Sequence, residues 1–233
     1  MHQHYWILSD KTGKTMTRAY SDLYIDEVMS NLGEMMDYGV NVLGEEMEQF
    51  YSRFLASRVA GQISCGNPKY LCMPGIRLAT LVAKQTGIEA EEVETVTSVF
   101  SEEYWIGSAM AYLQWYFNMS FQSLHTKGVT ASSIAPYCFV LRNEDLSRTV
   151  EVAEEMLKKY DKAHTPLKTA RKNAGLTQRQ LAEQSGIPLR TIRAYEQSRI
   201  VGGRASAQAM YNIASVLGCP LDYLLNSQEK LYL

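Results

Sequence analysis

The 233-residue chain is predicted to be all-α, an N-terminal helical bundle followed by a smaller five-helix module. Three observations carry this reading. Apolar residues recur at helical spacing in one segment after another. Several of these segments open on Ser, Thr or Pro and close at Gly, the punctuation of helix ends. The charge is also unevenly divided. Pro166 to Asn226 holds eight Lys/Arg against three Asp/Glu, whereas Met1 to Thr165 holds 14 against 21, so a basic module follows an acidic one.

Residues 1–20 are polar and weakly periodic, which predicts a flexible N-terminus; His2 and His4 also admit a weak metal-binding reading. Ser21 then caps a helix whose apolar positions are Leu23, Val28, Met29, Leu32, Met35, Met36 and Val40, with Asp22 and Asp26 at its positive end. Gly44 ends it. A second helix is predicted over Glu45 to Gly61, a loop at Cys65-Gly-Asn-Pro-Lys, and a third helix from Pro74 to Lys84 stopped by Gly87. Glu89 to Glu94 reads as a solvated acidic face. Ser101 caps the most aromatic segment, SEEYWIGSAMAYLQWYF, apolar nearly all round and therefore suited to the centre of a bundle. An aromatic ligand cage is the alternative reading of that segment. Ser120 can cap a short helix, Tyr137 to Leu141 fits helix or strand, and a last amphipathic helix runs from Asn143 or Asp145 to Tyr160.

Asp161 to Thr165 reads as a short polar joint. The expected organisation is a flexible 1–20, a helical regulatory or partner-binding domain over 21–162, a second domain over 163–227 and a tail over 228–233. Thr165 caps and Pro166 opens the first helix of the second domain. Its helices are predicted at Pro166–Ala174, Gln178–Ser185, Pro188–Gln197, Ala205–Leu217 and Pro220–Leu225, over a core of Leu167, Leu176, Leu181, Ile192, Ile213, Ala214, Leu217 and Leu224.

The stretch TQRQLAEQSGIPLRTIRAYEQ, Thr177 to Gln197, carries the clearest functional signal. Thr177 and Gln180 fit a capping box. Leu181, Ala182, Ile187, Ile192 and Tyr195 form the buried seam, and Gly186 supplies a positive φ where the chain reverses. Leu189, Arg190, Thr191, Arg193 and Ala194 are left on the outside of the second helix. This is a helix-turn-helix, whose second helix can enter a DNA major groove.

The module over Leu167 to Asn226 resembles the DNA-binding domain of lambdoid phage repressors, the XRE-type family. The residues that carry the resemblance are Leu167 and Arg171, Gly175-Leu176-Thr177-Gln178, Leu181-Ala182, Gly186, Ile192, Glu196 and Leu217 to Leu225. The resemblance implies a backbone-phosphate contact for Gln178, base-edge positions for Leu189, Arg190 and Ala194, and a structural ion pair between Arg171 and Glu196. Leu189 and Ala194 depart from a polar reading helix. Hydrogen-bonded base reading is therefore expected from Arg190 and Arg193, with apolar contact to thymine methyls beside them. Arg179, Arg199 and Arg204 are further phosphate-contact candidates. DLYIDEVMSNLGEMMDYGV, GNPKYLCMPGIRLA and EYWIGSAMAYLQWY resemble a helical region fused before XRE-type domains in bacterial proteins, often encoded near toxin-like genes. That resemblance implies an antitoxin-like regulator.

Other chemistry finds no support. GxxxxGK[ST], GxGxxG and HExxH are absent, no cofactor is implied, and Cys138 with His125 has the residue types of a thiol–base pair but no spacing that supports one. No apolar run approaches the ~20 residues of a membrane span. No signal peptide is evident, and four scattered cysteines fit reduced thiols in a cytoplasmic, nucleoid-associated protein. The expectation is a transcriptional repressor rather than an enzyme. It would bind a palindromic operator as a homodimer, its half-sites ~34 Å apart, and a cognate toxin is the expected partner of its N-terminal domain. A repressor with a small-molecule pocket around Trp105 to Trp115 is the alternative.

Overall fold

Two helices of the larger unit approach so closely that only glycine fits between them. They are α1 (Ile25–Asp37) and α6 (Glu102–Phe117), which pack against each other more extensively than any other pair. A Cβ on Gly107 would collide with the carbonyl oxygen of Leu32, and one on Gly33 would lie 2.7 Å from Ser108 Oγ. Bringing backbones together exposes polar groups to each other, and these are paired: Ser108 Oγ donates to the Met29 carbonyl at 2.8 Å and Tyr104 Oη to Ser30 Oγ at 3.1 Å.

The computed structural model describes residues 7–9, 15–91, 98, 101–142, 144, 146–197 and 206–225. The chain divides into two compact units, Met1–Leu157 and Lys158–Leu233. Among the described residues it is helical apart from a short antiparallel pair, Ile7–Ser9 with Thr15–Thr17.

Around the α1–α6 pair the first unit places α2 (Met47–Ala56), α3 (Arg58–Ser64), α4 (Pro68–Leu71), α5 (Gly75–Gln85), α7 (Phe121–Thr126), α8 (Ala131–Ile134), α9 (Cys138–Leu141) and the start of α10 (Leu146–Ala163). Its core includes Leu32, Met35, Tyr38, Phe50, Phe54, Leu78, Ile106, Leu113 and Phe121. Phe54 meets Phe121 edge-on at 5.0 Å, tying α2 to α7. α6 is buried along most of its length, as its all-round apolar sequence predicts.

The structure corrects several sequence expectations. Glu45 to Gly61 is two helices, because Ser57 is extended (φ −80°, ψ 163°); its hydroxyl donates to the Phe54 carbonyl and accepts from Val59 N, ending one helix and starting the next. The loop after Cys65 contains the single turn α4, capped by Asn67. Tyr137 to Leu141 resolves as helical turns, and α10 continues to Ala163 through residues read as a polar joint. The N-terminus is not flexible throughout. Arg18 and Tyr20 are buried, the Arg18 guanidinium lies 4.1 Å from the Tyr116 ring centroid and donates to the Tyr116 carbonyl, and Trp115 Nε1 donates to the Tyr20 carbonyl at 2.8 Å. A cation over aromatic faces fixes a segment that composition alone marks as polar. His2 and His4 lie outside the described residues.

Gln114 sits in α6 at 1% exposure, and neither amide atom of its side chain has a hydrogen-bond partner among the described residues. A buried unsatisfied amide is costly. Gln114→Met, close in volume and apolar, is expected to stabilise the chain by about 1–2 kcal/mol and raise its melting temperature in a calorimetric scan. A lower melting temperature would show that the amide is satisfied.

The second unit holds the end of α10, then α11 (Pro166–Asn173), α12 (Gln178–Ser185), α13 (Leu189–Glu196), α14 (Ala207–Leu217) and α15 (Leu221–Leu225). Its core is Leu167, Ala170, Leu181, Ile192, Tyr195, Ala209, Met210, Ile213, Ala214 and Leu224. Leu176 and Leu217, expected inside, are partly buried against it. Pro188 is the N-cap of α13 rather than its first residue.

Candidate nucleic-acid interface

The turn between α12 and α13 follows from local chemistry. Thr177 Oγ1 accepts from Gln180 N at 3.2 Å while Gln180 Oε1 accepts from Thr177 N at 2.8 Å, a closed capping box at the start of α12. Gly186 ends that helix at φ +70°, the left-handed conformation that favours glycine. Pro188 then opens α13, and its carbonyl accepts from Ile192 N at 3.1 Å. Ser185 Oγ donates to the Leu181 carbonyl at 2.6 Å, and Asn212 of α14 donates to the Ser185 carbonyl at 3.3 Å, so the last turn of α12 is held from two sides.

α13 presents two faces. Ile192, Tyr195 and Glu196 are buried. At 100° per residue the opposite face is centred on Arg190, Arg193 and Ala194, with Leu189 and Thr191 at its margins. Exposure follows this geometry: Arg190 and Arg193 are exposed, whereas Leu189, Thr191 and Ala194 are half-buried. Gln197, the C-cap, shares the outward face and is exposed. Sequence reading passed over it because it lies beyond the last apolar residue of the helix. Arg179, exposed at the start of α12, and Leu189 line one shallow hollow of about 460 Å³ together with Ala182, Glu183, Gly186, Ile187 and Pro188. Arg199 and Arg204 lie outside the described residues.

Beneath this face is a buried charged cluster. Arg171 Nε and Nη2 donate to the two Glu196 carboxylate oxygens at 2.5 and 3.1 Å, and Arg171 Nη1 donates to the Leu176 carbonyl at 2.6 Å. Gln178 Nε2 donates to Glu196 Oε2 at 2.7 Å. The Glu196 side chain is 2% exposed and that of Arg171 is 11% exposed, so this two-pronged pair is shielded from water and salt. One carboxylate therefore holds α11, the start of α12 and the end of α13 in register. It also uses one amide N–H of Gln178, the residue expected to contact a backbone phosphate. The backbone N–H groups at the start of α12 and the second amide N–H are the donors left for an anion there.

The arrangement has the parts that groove reading needs. It has an exposed helix face with two guanidinium groups, an adjoining helix N-terminus with a third, and a rigid core fixing both. Elsewhere, His125 and Cys138 have other partners: His125 pairs with Glu48 at 3.4 Å and Cys138 Sγ accepts from Arg142 Nη2 at 3.2 Å. Among the described residues no group of His, Cys, Asp and Glu is placed to hold a metal ion, and no helix is long and apolar enough to cross a membrane.

No curated protein and no solved structure matches the chain. A family model described as helix-turn-helix matches residues 167–224, the span of α11 to α15. Those residues form a helix-turn-helix domain, the DNA-binding module of a transcriptional regulator.

Proposed function

We propose that the chain is a sequence-specific repressor that binds a palindromic operator as a homodimer and that its N-terminal unit binds a protein partner, in the manner of an antitoxin. The observation that carries the DNA-reading half is the outward face of α13. There Arg190 and Arg193 stand exposed beside the half-buried Leu189, Thr191 and Ala194. Arg190 reads a guanine edge, and Leu189 and Ala194 suit thymine methyls. Arg179 and Gln178, with Arg193, Arg199 and Arg204, anchor phosphates. The exposed Tyr211, Tyr223 and Leu225 on α14 and α15 offer an apolar surface for self-association. The acidic N-terminal unit, a full helical core larger than the DNA-binding one, supports a second binding role.

The test uses the chain's own promoter DNA. Arg190→Ala is expected to cost roughly 1–3 kcal/mol on the operator and to relax preference at one base pair per half-site. Arg179→Ala should weaken specific and random DNA alike and reduce the salt slope by about one. Equal loss on both DNAs for Arg190→Ala would remove Arg190 from base reading. The antitoxin role is tested by co-expression with the product of the neighbouring gene, and fails if that product is neither bound nor neutralised.

A further inference from the structure

An open cleft of about 670 Å³ in the first unit combines an apolar wall with unpaired negative charge. Glu46, Met47 and Glu48 line one side, Glu102 the start of α6, and Ser132, Ala135, Pro136, Cys138, Phe139 and Arg142 the other. Phe139 is 88% exposed, and its neighbours Val140 and Tyr137 are 65% and 40% exposed. Three large apolar side chains thus stand in water within four residues of chain, and the most exposed of them, Phe139, lines the cleft beside polar groups, as at surfaces that partners cover. Glu48 is already engaged by His125 and by Ser132 N at 2.9 Å. Glu46 and Glu102 are exposed and have no hydrogen-bond or ion-pair partner for their side chains among the described residues.

We propose that this cleft is the docking site for a basic amphipathic segment of a partner protein, whose apolar side chains cover Phe139 while its Lys or Arg side chains face Glu46 and Glu102. The inference deepens, and rests on, the partner-binding reading of the N-terminal unit. The helix dipoles account for carboxylates at the starts of α2 and α6, but not for the bare phenyl ring they share a cleft with. Charge selects the occupant. Among the described residues Arg142 is the one basic side chain lining the cleft, against three glutamates. A second copy related by a two-fold axis would set this acidic patch against itself, whereas a basic partner neutralises it and gains on-rate from the field.

The experiment uses the full chain and a fluorescein-labelled helical peptide of Leu and Lys, read by fluorescence anisotropy. Two controls accompany it: the same peptide with Glu for Lys, and one with Ser for Leu at unchanged charge. The Leu/Lys peptide is expected to bind saturably and both controls to bind on the order of tenfold more weakly or not at all. Phe139→Ser should loosen the Leu/Lys peptide about tenfold, as loss of a central anchor does. Glu46→Gln with Glu102→Gln should loosen it several-fold and flatten its salt dependence. Circular dichroism checks that each variant is folded, which the exposure of all three residues favours. Equal binding of the Leu/Lys and Ser/Lys peptides, or unchanged binding by the variants, overturns the cleft. So does concentration-dependent self-association in sedimentation that Phe139→Ser abolishes, since the occupant is then a second copy. Promoter binding and neutralisation of the neighbouring gene product are read separately. Failure of neutralisation overturns the partner-binding reading and failure of promoter binding the DNA-reading one, whereas persistence of both with insensitive cleft variants overturns the cleft alone.

Discussion

Glu196→Ala is expected to unfold the helix-turn-helix unit. The substitution removes the acceptor of two Arg171 donors and one Gln178 donor and strands a guanidinium whose side chain is 11% exposed. Breaking a buried pair by deleting one partner costs about 3–5 kcal/mol. A unit of this size has a small core and stands toward the lower end of the usual ~5–15 kcal/mol, so most of its stability is lost. Thermal melts followed at 222 nm should lose amplitude at ambient temperature. Limited proteolysis should cut within residues 166–225 while the first unit resists, and promoter binding should disappear. Replacing both partners, Arg171→Met with Glu196→Leu, should recover much of the fold, because the desolvation cost of both charges is removed. A Glu196→Ala chain that melts like the wild type would show that the pair is incidental.

Gly107→Ala is expected to cost the first unit about 3 kcal/mol or more, since the added methyl would collide with the Leu32 carbonyl oxygen and lie 2.9 Å from Gly33 Cα. Backbone, unlike the end of a flexible side chain, cannot swing aside, so α1 and α6 must separate. Gly61→Ala is the internal control. Gly61 lies within α3, exposed, with nothing within 4 Å of the place its methyl would take, and its replacement should stabilise by roughly 0.5–1 kcal/mol. Opposite signs for the two glycines in urea melts would establish the close crossing; a neutral Gly107→Ala would refute it.

These two sites differ in how much of them the residues announced. The capping box at Thr177 and Gln180 and the left-handed Gly186 were legible because each is a bond or a backbone preference acting within a few residues. The outward set of α13 was legible from helical periodicity, given a buried Ile192 and Tyr195. The joining of Gln178 to Glu196 was not, since 18 positions separate them and only the crossing of α12 and α13 brings the two side chains together. Gly33 and Gly107 lie inside helices, where glycine by itself only weakens the helix. Their role appears only when the two helices are laid across each other.

The all-helical class, the charge division and the outward face of α13 were thus written in the sequence, because capping, periodicity and charge are local properties. The tertiary structure decided the rest. It split the segment from Glu45 to Gly61 at Ser57, brought Arg18 over the rings of Trp115 and Tyr116, and gathered Glu46, Glu102 and Phe139 from three separate stretches into one cleft. Each of these depends on which surfaces meet, and that is set by the packing of the whole core rather than by any run of neighbouring residues.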